Sequence, residues 1–282
     1  MSKKLILQGP QADQATLARI AQSAGARGTT QLGAHALRCD GIEYTPALKA
    51  AVEAAADAAG VDASFVDAHL TLADFKLVAM DMDSTLITIE CIDEIADMQG
   101  LKPQVAAITE AAMRGELDFS ESLNRRVALL EGLEASALER VYEERLRISP
   151  GGEAMLAAVQ AAGLKTLLVS GGFTFFTERL QQRLGLDYAH ANVLEIENGR
   201  LTGRVVGGIV DAEEKRRTVE RVCMELDIDP RQAIVMGDGA NDLGMMGIAG
   251  LSVAFRAKPV VRAQAGVALN FSGLDGILNV LA

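Results

Sequence analysis

The chain has 282 residues and a net charge of −11, from 27 Lys and Arg against 38 Asp and Glu. That length supports one large or two modest domains with a real core, and the acidic balance argues against non-specific binding to nucleic acid or to an anionic membrane surface. Hydrophobic residues make up 49% and aromatic ones only 4%, so the core is expected to be built from Ala, Leu, Val and Ile in a helix-rich protein.

Residues 1–72 read as a small α+β domain. Lys4-Leu5-Ile6-Leu7-Gln8 is a short strand ended by Gly9-Pro10. Ala12 to Ala24 has helical spacing, with Leu17, Ile20 and Ala21 on one face. Thr29 to Arg38 is strand-like. Thr45 to Ala59 is a second helix, with Thr45 as N-cap, Pro46 at the first helical position and Gly60 closing it. Val61 to Ala68 alternates as a strand. The order strand-helix-strand-helix-strand suggests a ferredoxin-like or similar arrangement, and no catalytic constellation falls within it.

From Phe75 the pattern changes. Strand candidates recur at 75–80, 165–170, 233–237 and about 250–255, with helical segments between several of them. That alternation predicts an α/β domain over 73–282, a Rossmann-like parallel sheet covered on both faces. The block 91–147 is rich in Glu, Ala, Leu and Arg and holds a single proline, Pro103. It is too long for a simple crossover and reads as an inserted helical cap at about 89–150. Residues 192–206, NVLEIENGRLTGRVV, form a β-hairpin signal around Asn198-Gly199.

Cys39, Cys91 and Cys223 are widely spaced and read as reduced thiols. His35, His69 and His190 are equally dispersed and leave no zinc-type spacing. The first residues, MSKKLILQGPQADQ, hold no long apolar segment, and no uncharged apolar stretch reaches membrane-spanning length. A cytoplasmic protein without membrane or nucleic-acid partners is expected.

Three strand ends carry polar clusters: Asp81-Met82-Asp83-Ser84-Thr85, Val169-Ser170-Gly171-Gly172-Phe173 and Met236-Gly237-Asp238-Gly239-Ala240-Asn241-Asp242. In a parallel sheet all three lie at the carboxyl edge, where ligands of open α/β sheets bind. Asp81, Asp83, Asp238 and Asp242 would then approach one another. Two like charges about 4 Å apart repel by roughly 4 kcal/mol at an effective dielectric of ~20, so the cluster demands a cation or a proton. All-oxygen ligands suit a hard ion, and Mg²⁺ fits best. The Ser170-Gly171-Gly172 turn before a helix is an anion site, to which Lys215 can add a point charge. Without a G-x-x-x-x-G-K-[ST] sequence, a P-loop is excluded as its source. Asp81 would attack phosphorus, while Asp83, one pleat repeat on, would protonate the leaving alcohol and then deprotonate water.

These residues carry a family resemblance. DMDST at 81–85, SGG at 170–172, Lys215 and GDGAND at 237–242 resemble the four motifs of the haloacid-dehalogenase-like (HAD) phosphohydrolases, over about 75–280 and including the cap. The dehalogenase branch lacks the second carboxylate, so Asp83 points to phosphoryl transfer. A narrower resemblance is to the phosphoserine phosphatase family. It rests on DMDSTL, Glu90, Ile92-Asp93-Glu94-Ile95-Ala96, the cap stretch Phe119-Ser120-Glu121-Ser122-Leu123-Asn124-Arg125-Arg126-Val127, and Ser170-Gly171-Gly172-Phe173.

The resemblance implies hydrolysis of O-phosphoserine to serine and phosphate through an aspartyl-phosphate, the last step of phosphorylated serine biosynthesis. It implies Mg²⁺ held by Asp81, the Asp83 backbone carbonyl and Asp238, with Asn241 and Asp242 orienting that shell. Glu90 would contact the substrate ammonium and Arg126 its carboxylate. Met113 and Phe119 would wall the pocket, Ser170, Gly171 and Lys215 would hold the phosphate, and Gly172 and Asn241 would join the substrate contacts. The N-terminal residues resemble ACT-like, amino-acid-sensing units, which implies serine binding there, a homodimer contact or a packing role.

Each motif alone has a plainer reading. Asp-rich stretches form turns, Glu90 can serve as a helix-dipole partner, and Lys215 sits in a charge run, DAEEKRR, that resembles a solvated helix face. Two other functions stay open: a HAD phosphatase or phosphotransferase acting on another small phosphate ester, and a catalytically silent amino-acid sensor.

Overall fold

The computed structural model describes residues 2–282, apart from the side chain of Met113. The N-terminal part runs β1 (Lys3–Gln8), α1 (Gln14–Ser23), β2 (Gly28–Gly33), β3 (Ala36–Ile42), α2 (Pro46–Asp57) and β4 (Asp62–Asp67). Its four strands form an antiparallel sheet in the order β2-β3-β1-β4, the ferredoxin-like arrangement. Asp13 caps α1 by accepting from the Thr16 N–H, and Thr45 caps α2 by accepting from the Leu48 N–H.

The expected single strand at Thr29 to Arg38 is in fact the hairpin β2–β3. β2 is an edge strand, exposed on nearly every residue, so it shows no apolar alternation to separate it from the turn that follows.

β1 works on two faces at period two. Leu5 and Leu7 pack against Leu17, Ile20, Val52 and Ala56 of the two helices. Lys4, Ile6 and Gln8 face the rest of the protein instead. Buried Lys4 donates to Leu70 O at 2.9 Å and to Ala282 O at 2.8 Å. Asp62, 2% exposed, accepts the backbone N–H groups of Asn270 (2.7 Å), Phe271 (3.2 Å) and Ser272 (2.8 Å).

The second part opens with β5 (Leu77–Met80) and then leaves the sheet for α3 (Cys91–Asp97), α4 (Lys102–Met113), α5 (Phe119–Ala128) and α6 (Ser136–Arg140). It returns through α7 (Gly152–Ala161) to β6 (Lys165–Phe173), α8 (Thr174–Leu184), β7 (Tyr188–Glu197) and β8 (Arg200–Val206). It ends with α9 (Ala212–Glu225), β9 (Ala233–Gly237), α10 (Leu243–Met246), β10 (Leu251–Phe255), α11 (Pro259–Arg262), β11 (Val267–Leu269) and α12 (Gly276–Val280). The seven-stranded sheet has the order β11-β10-β9-β5-β6-β7-β8 and is parallel except for β7 against β8.

Both faces of the central strands are buried. Val78, Met80, Ile234 and Met236 lie on one side; Leu77, Ala79, Ala233 and Val235 lie on the other. The expected hairpin turns at Asn198 (φ 51°) and Gly199 (φ 75°), where two positive φ angles favour this pair. β7 begins earlier than expected, because its first half pairs with β6 and is not part of the hairpin. β11, three residues long, escaped the sequence reading.

The helices between β5 and β6 rest on the β7–β8 hairpin. Gly132 N–H donates to Leu201 O, Leu201 N–H to Leu133 O, and Ala135 N–H to Gly199 O, each at 2.8 Å. Among the described residues no helix is long and apolar enough to cross a membrane.

The docking of the two sheets makes a testable demand on Asp62. Asp62→Ala strands three backbone donors at a closed interface, with an expected loss of about 1–3 kcal/mol. Urea unfolding of the full chain measures it, and an unchanged midpoint would refute the importance of this contact.

Candidate active site

Asp81 immediately follows β5, and its backbone N–H still donates to Met236 O at 3.0 Å. The chain then reverses in a wide turn closed by Leu86 N–H to Asp81 O (3.3 Å) and Ile87 N–H to Met82 O (2.9 Å), with Ser84 at φ 54°. Asp83 therefore stands in a turn and not on the strand; its position comes from that reversal, not from the pleat. One carboxylate oxygen accepts the Cys91 N–H at 2.8 Å, and the other accepts from Ser170 Oγ at 3.4 Å. Gly172 must lack a side chain here, since a Cβ would lie 2.6 Å from Asp83 Oδ2.

The three strand ends converge. Carboxylate oxygens of Asp81, Asp238 and Asp242 lie within 4.8 Å of one another. Lys215, fully buried on α9, places Nζ 2.8 Å from Asp81 Oδ1 and 2.8 Å from Asp242 Oδ1. The second oxygen of Asp242 accepts the N–H groups of Asp238 (3.2 Å) and Gly239 (3.0 Å). Asp242 is thus fully engaged by protein, leaving Asp81 and Asp238 to present oxygen to an ion.

In sequence Lys215 lies in a charge run that resembles a solvated helix face. A signal for it exists: Lys215, Thr218, Val219 and Val222 are buried together at helical spacing.

Electrostatics follow from burial. Burial and the Asp242 charge raise the Asp81 carboxyl well above the ordinary range, with Lys215 opposing. Asp238 is pushed up to about 6, by burial and then by Asp242. Asp83 is pushed up to about 7, by burial and then by Glu90, against the Cys91 hydrogen bond. Burial works against the charge of Lys215, yet Asp242 and Asp81 hold its ammonium above the usual value. Three carboxylates face a single ammonium, so ionising them together leaves negative charge that the protein does not balance. A divalent cation with hard-oxygen preference fits both the charge deficit and the donor set.

A cleft of about 610 Å³ opens over this cluster and is roofed by the cap helices. Phe119, Glu90 and Arg126 line it from the cap side; Gly171, Gly172 and Asn241 line it from the sheet side. Glu90 precedes α3 without capping it and accepts from Ser84 Oγ at 2.7 Å. Arg126 is half-buried, with Nε donating to Ser122 O at 3.3 Å. Its neighbour Arg125 is exposed and paired with Glu121 at 2.5 Å. The side chain of Met113 lies outside the described residues. Every other singled-out residue is in or directly beneath the cleft.

Sequence reading missed three contributors. Thr85 donates to Asp238 Oδ1 at 3.2 Å. Lys258 lines the cleft, and its N–H donates to Asp238 O at 3.2 Å. Asn192 bridges Gly171 O and Val210 N–H at 2.8 Å each. Thr85 stands within the DMDST motif, but its partner is 153 positions away, and no local signal marks Lys258.

A family model described as haloacid dehalogenase-like hydrolase matches residues 78–247. The chain belongs to the haloacid dehalogenase-like hydrolase family, in the branch whose curated members are named phosphoserine phosphatase. One of these, from Polaromonas sp., is 60% identical over 217 residues, covering 75% of this chain and 92% of its own. A HAD family hydrolase from Salmonella enterica serovar Typhi superposes with a TM-score of 0.90 at 31% identity, over 99% of this chain and 98% of that one. A probable phosphoserine phosphatase from Vibrio cholerae, unliganded, superposes with a TM-score of 0.84 at 36% identity, over 99% and 86%.

The raised carboxyls predict how stability varies with pH. In the metal-free protein the native state holds protons on Asp238 and Asp83 that the unfolded chain releases near pH 4. Their contribution is full below that pH and is lost as pH rises to about 7. The rise in Tm on adding Mg²⁺ is therefore expected to be larger at pH 8 than at pH 5. Scanning calorimetry at both pH values checks this, and an equal rise would count against the cluster as the ion's site.

Proposed function

We propose that the protein is a Mg²⁺-dependent phosphoserine phosphatase. The observation that carries this reading is one cleft with a carboxylate–lysine cluster at its floor and a Glu90–Arg126 pair in its roof. O-Phosphoserine is small and carries a phosphate, an ammonium and a carboxylate. Its reader needs one anion and one fork-shaped cation beside a phosphate site. The relatives' names agree with that reading.

Phosphate is received by Ser170, the Gly171-Gly172 backbone and Lys215. Glu90 takes the ammonium, Arg126 the carboxylate, and Phe119 walls the pocket. An oxygen of Asp81 forms the new bond to phosphorus as the bond to the serine oxygen breaks. Asp83 gives that leaving oxygen its proton. Water then loses a proton to Asp83 and attacks phosphorus, breaking the acyl-phosphate bond and restoring Asp81.

A carboxyl pushed up to about 7 is suited to both halves of this cycle. Asp81, the Asp83 carbonyl and Asp238 would hold Mg²⁺, with Asn241 and Asp242 orienting them. When bound, the ion supplies positive charge that favours the ionised form of Asp81 and offsets charge on the phosphate oxygens. The buried free thiols Cys39, Cys91 and Cys223 suit a reducing, cytoplasmic setting.

Phosphate release from phosphoserine is expected to stop with a chelator and resume on adding Mg²⁺. Asp81→Asn abolishes turnover with the fold intact by circular dichroism. Arg126→Ala lowers kcat/KM for phosphoserine by about 10²-fold while p-nitrophenyl phosphate is nearly unaffected. Equal losses on the two esters would remove Arg126 as the carboxylate reader and, with it, the substrate assignment.

A further inference from the structure

β6 and β7 pair in register as far as Val169 opposite His190, then resume at Phe173 opposite Asn192. Four residues of advance along β6 thus match two along β7. The three intervening residues, Ser170-Gly171-Gly172, stand against the single Ala191 and leave the ladder as a bulge, and Gly171 and Gly172 line the cleft. Bulges beside active sites re-aim the backbone but disrupt ladder hydrogen bonds.

One side chain restores bonding at this bulge. Asn192, 1% exposed, donates Nδ2 to Gly171 O at 2.8 Å and accepts the Val210 N–H on Oδ1 at 2.8 Å. One partner is an acceptor and the other a donor, so the amide satisfies both in a single orientation. Val210 is followed by Asp211, which caps α9 by accepting from the Glu214 N–H at 2.9 Å. Lys215 lies on the first turns of that helix. The amide therefore joins the bulge to the root of the helix carrying the buried lysine. Asn192 itself is not among the residues lining the cleft.

Resting on the phosphatase reading, we propose that Asn192 is a positioning residue: by clipping the Gly171 carbonyl to the start of α9, it sets the Ser170–Gly172 bulge relative to Lys215 and so fixes where phosphate oxygens are received. It acts through Gly171 and Val210 and contacts no reacting atom. Because what it positions is the phosphate site, its removal affects every phosphate ester alike. That separates it from Arg126, whose effect depends on the rest of the substrate.

The test is Asn192→Asp in the full chain with Mg²⁺. The new carboxylate keeps an acceptor for the Val210 N–H but turns an oxygen toward Gly171 O, where the two repel. On the order of 10²-fold loss of kcat/KM is expected, as for displaced transition-state donors. The loss should be similar on phosphoserine and p-nitrophenyl phosphate, and calorimetry should show weaker binding of inorganic phosphate. Unchanged kinetics at 25 °C with only a lower Tm would make Asn192 a packing residue and overturn the proposal. A loss confined to phosphoserine would overturn it as well. If Asn192→Asp does not fold, Asn192→Ser, whose hydroxyl can serve one of the two partners, carries the same comparison. A wild type that cleaves p-nitrophenyl phosphate but not phosphoserine would end the substrate assignment alone, leaving Asn192 to be judged on the aryl ester.

Discussion

The ammonium of Lys215 is fully buried, with the carboxylates of Asp81 and Asp242 each 2.8 Å away. This triad joins the end of β5, the helix α9 and the turn after β9, segments separated by up to 161 residue positions. A buried charge is tolerable only when paired and hydrogen-bonded, so each member holds the other two in place. Asp242 carries most of the structural duty. Its oxygens bind the lysine and two backbone N–H groups, which fixes the loop that presents Asp238. Asp81 is less completely engaged, which suits the nucleophilic role proposed for it.

The cap is the second constraint. Its helices share one continuous apolar cluster with the sheet, through Leu123, Val127, Leu130 and Leu138 against Leu194 and Leu201. Backbone bonds from residues 132–135 to the β8 strand and its turn add a direct seam. Glu90 and Arg126 are thereby suspended above a floor built by other parts of the chain. On the proposed function, the groups that receive phosphate lie at the sheet's edge and on α9, and those that read the rest of the substrate lie in the cap. Such a division lets one scaffold vary substrate choice without altering its phosphate chemistry.

The N-terminal sheet is joined to the rest through Ile6 and Val66, which share the apolar core of the second part, and through polar contacts. Lys4, through Ala282 O, and Gln8 and Asp62 all donate to or accept from backbone of the second part. Asp62 grips the residues just after β11, and β11 pairs with β10, the strand leading to Lys258. The edge strand β2 stands at the far side of this sheet, exposed to solvent.

Much of the site was legible in sequence because polar residues at the ends of apolar strands are conspicuous. Asp81, Ser170 and Asp238 each follow or end a run of buried residues, and a parallel sheet must bring such ends to one edge. The hairpin at Asn198-Gly199 was legible for a similar reason, since two positive φ angles leave few residue choices. β2 was not, because an exposed edge strand has no buried face to impose alternation.

The amino-acid sequence alone determined the order of elements, the acidic strand tips and the requirement for a counter-ion, since these follow from local periodicity and from charge. Only the tertiary structure decided that Lys215 is buried between two carboxylates, that Asp242 is spent on protein contacts, and that Asn192 and Thr85 support the site. Those outcomes depend on hydrogen bonds between residues far apart in the chain, whose geometry exists only once the sheet has formed.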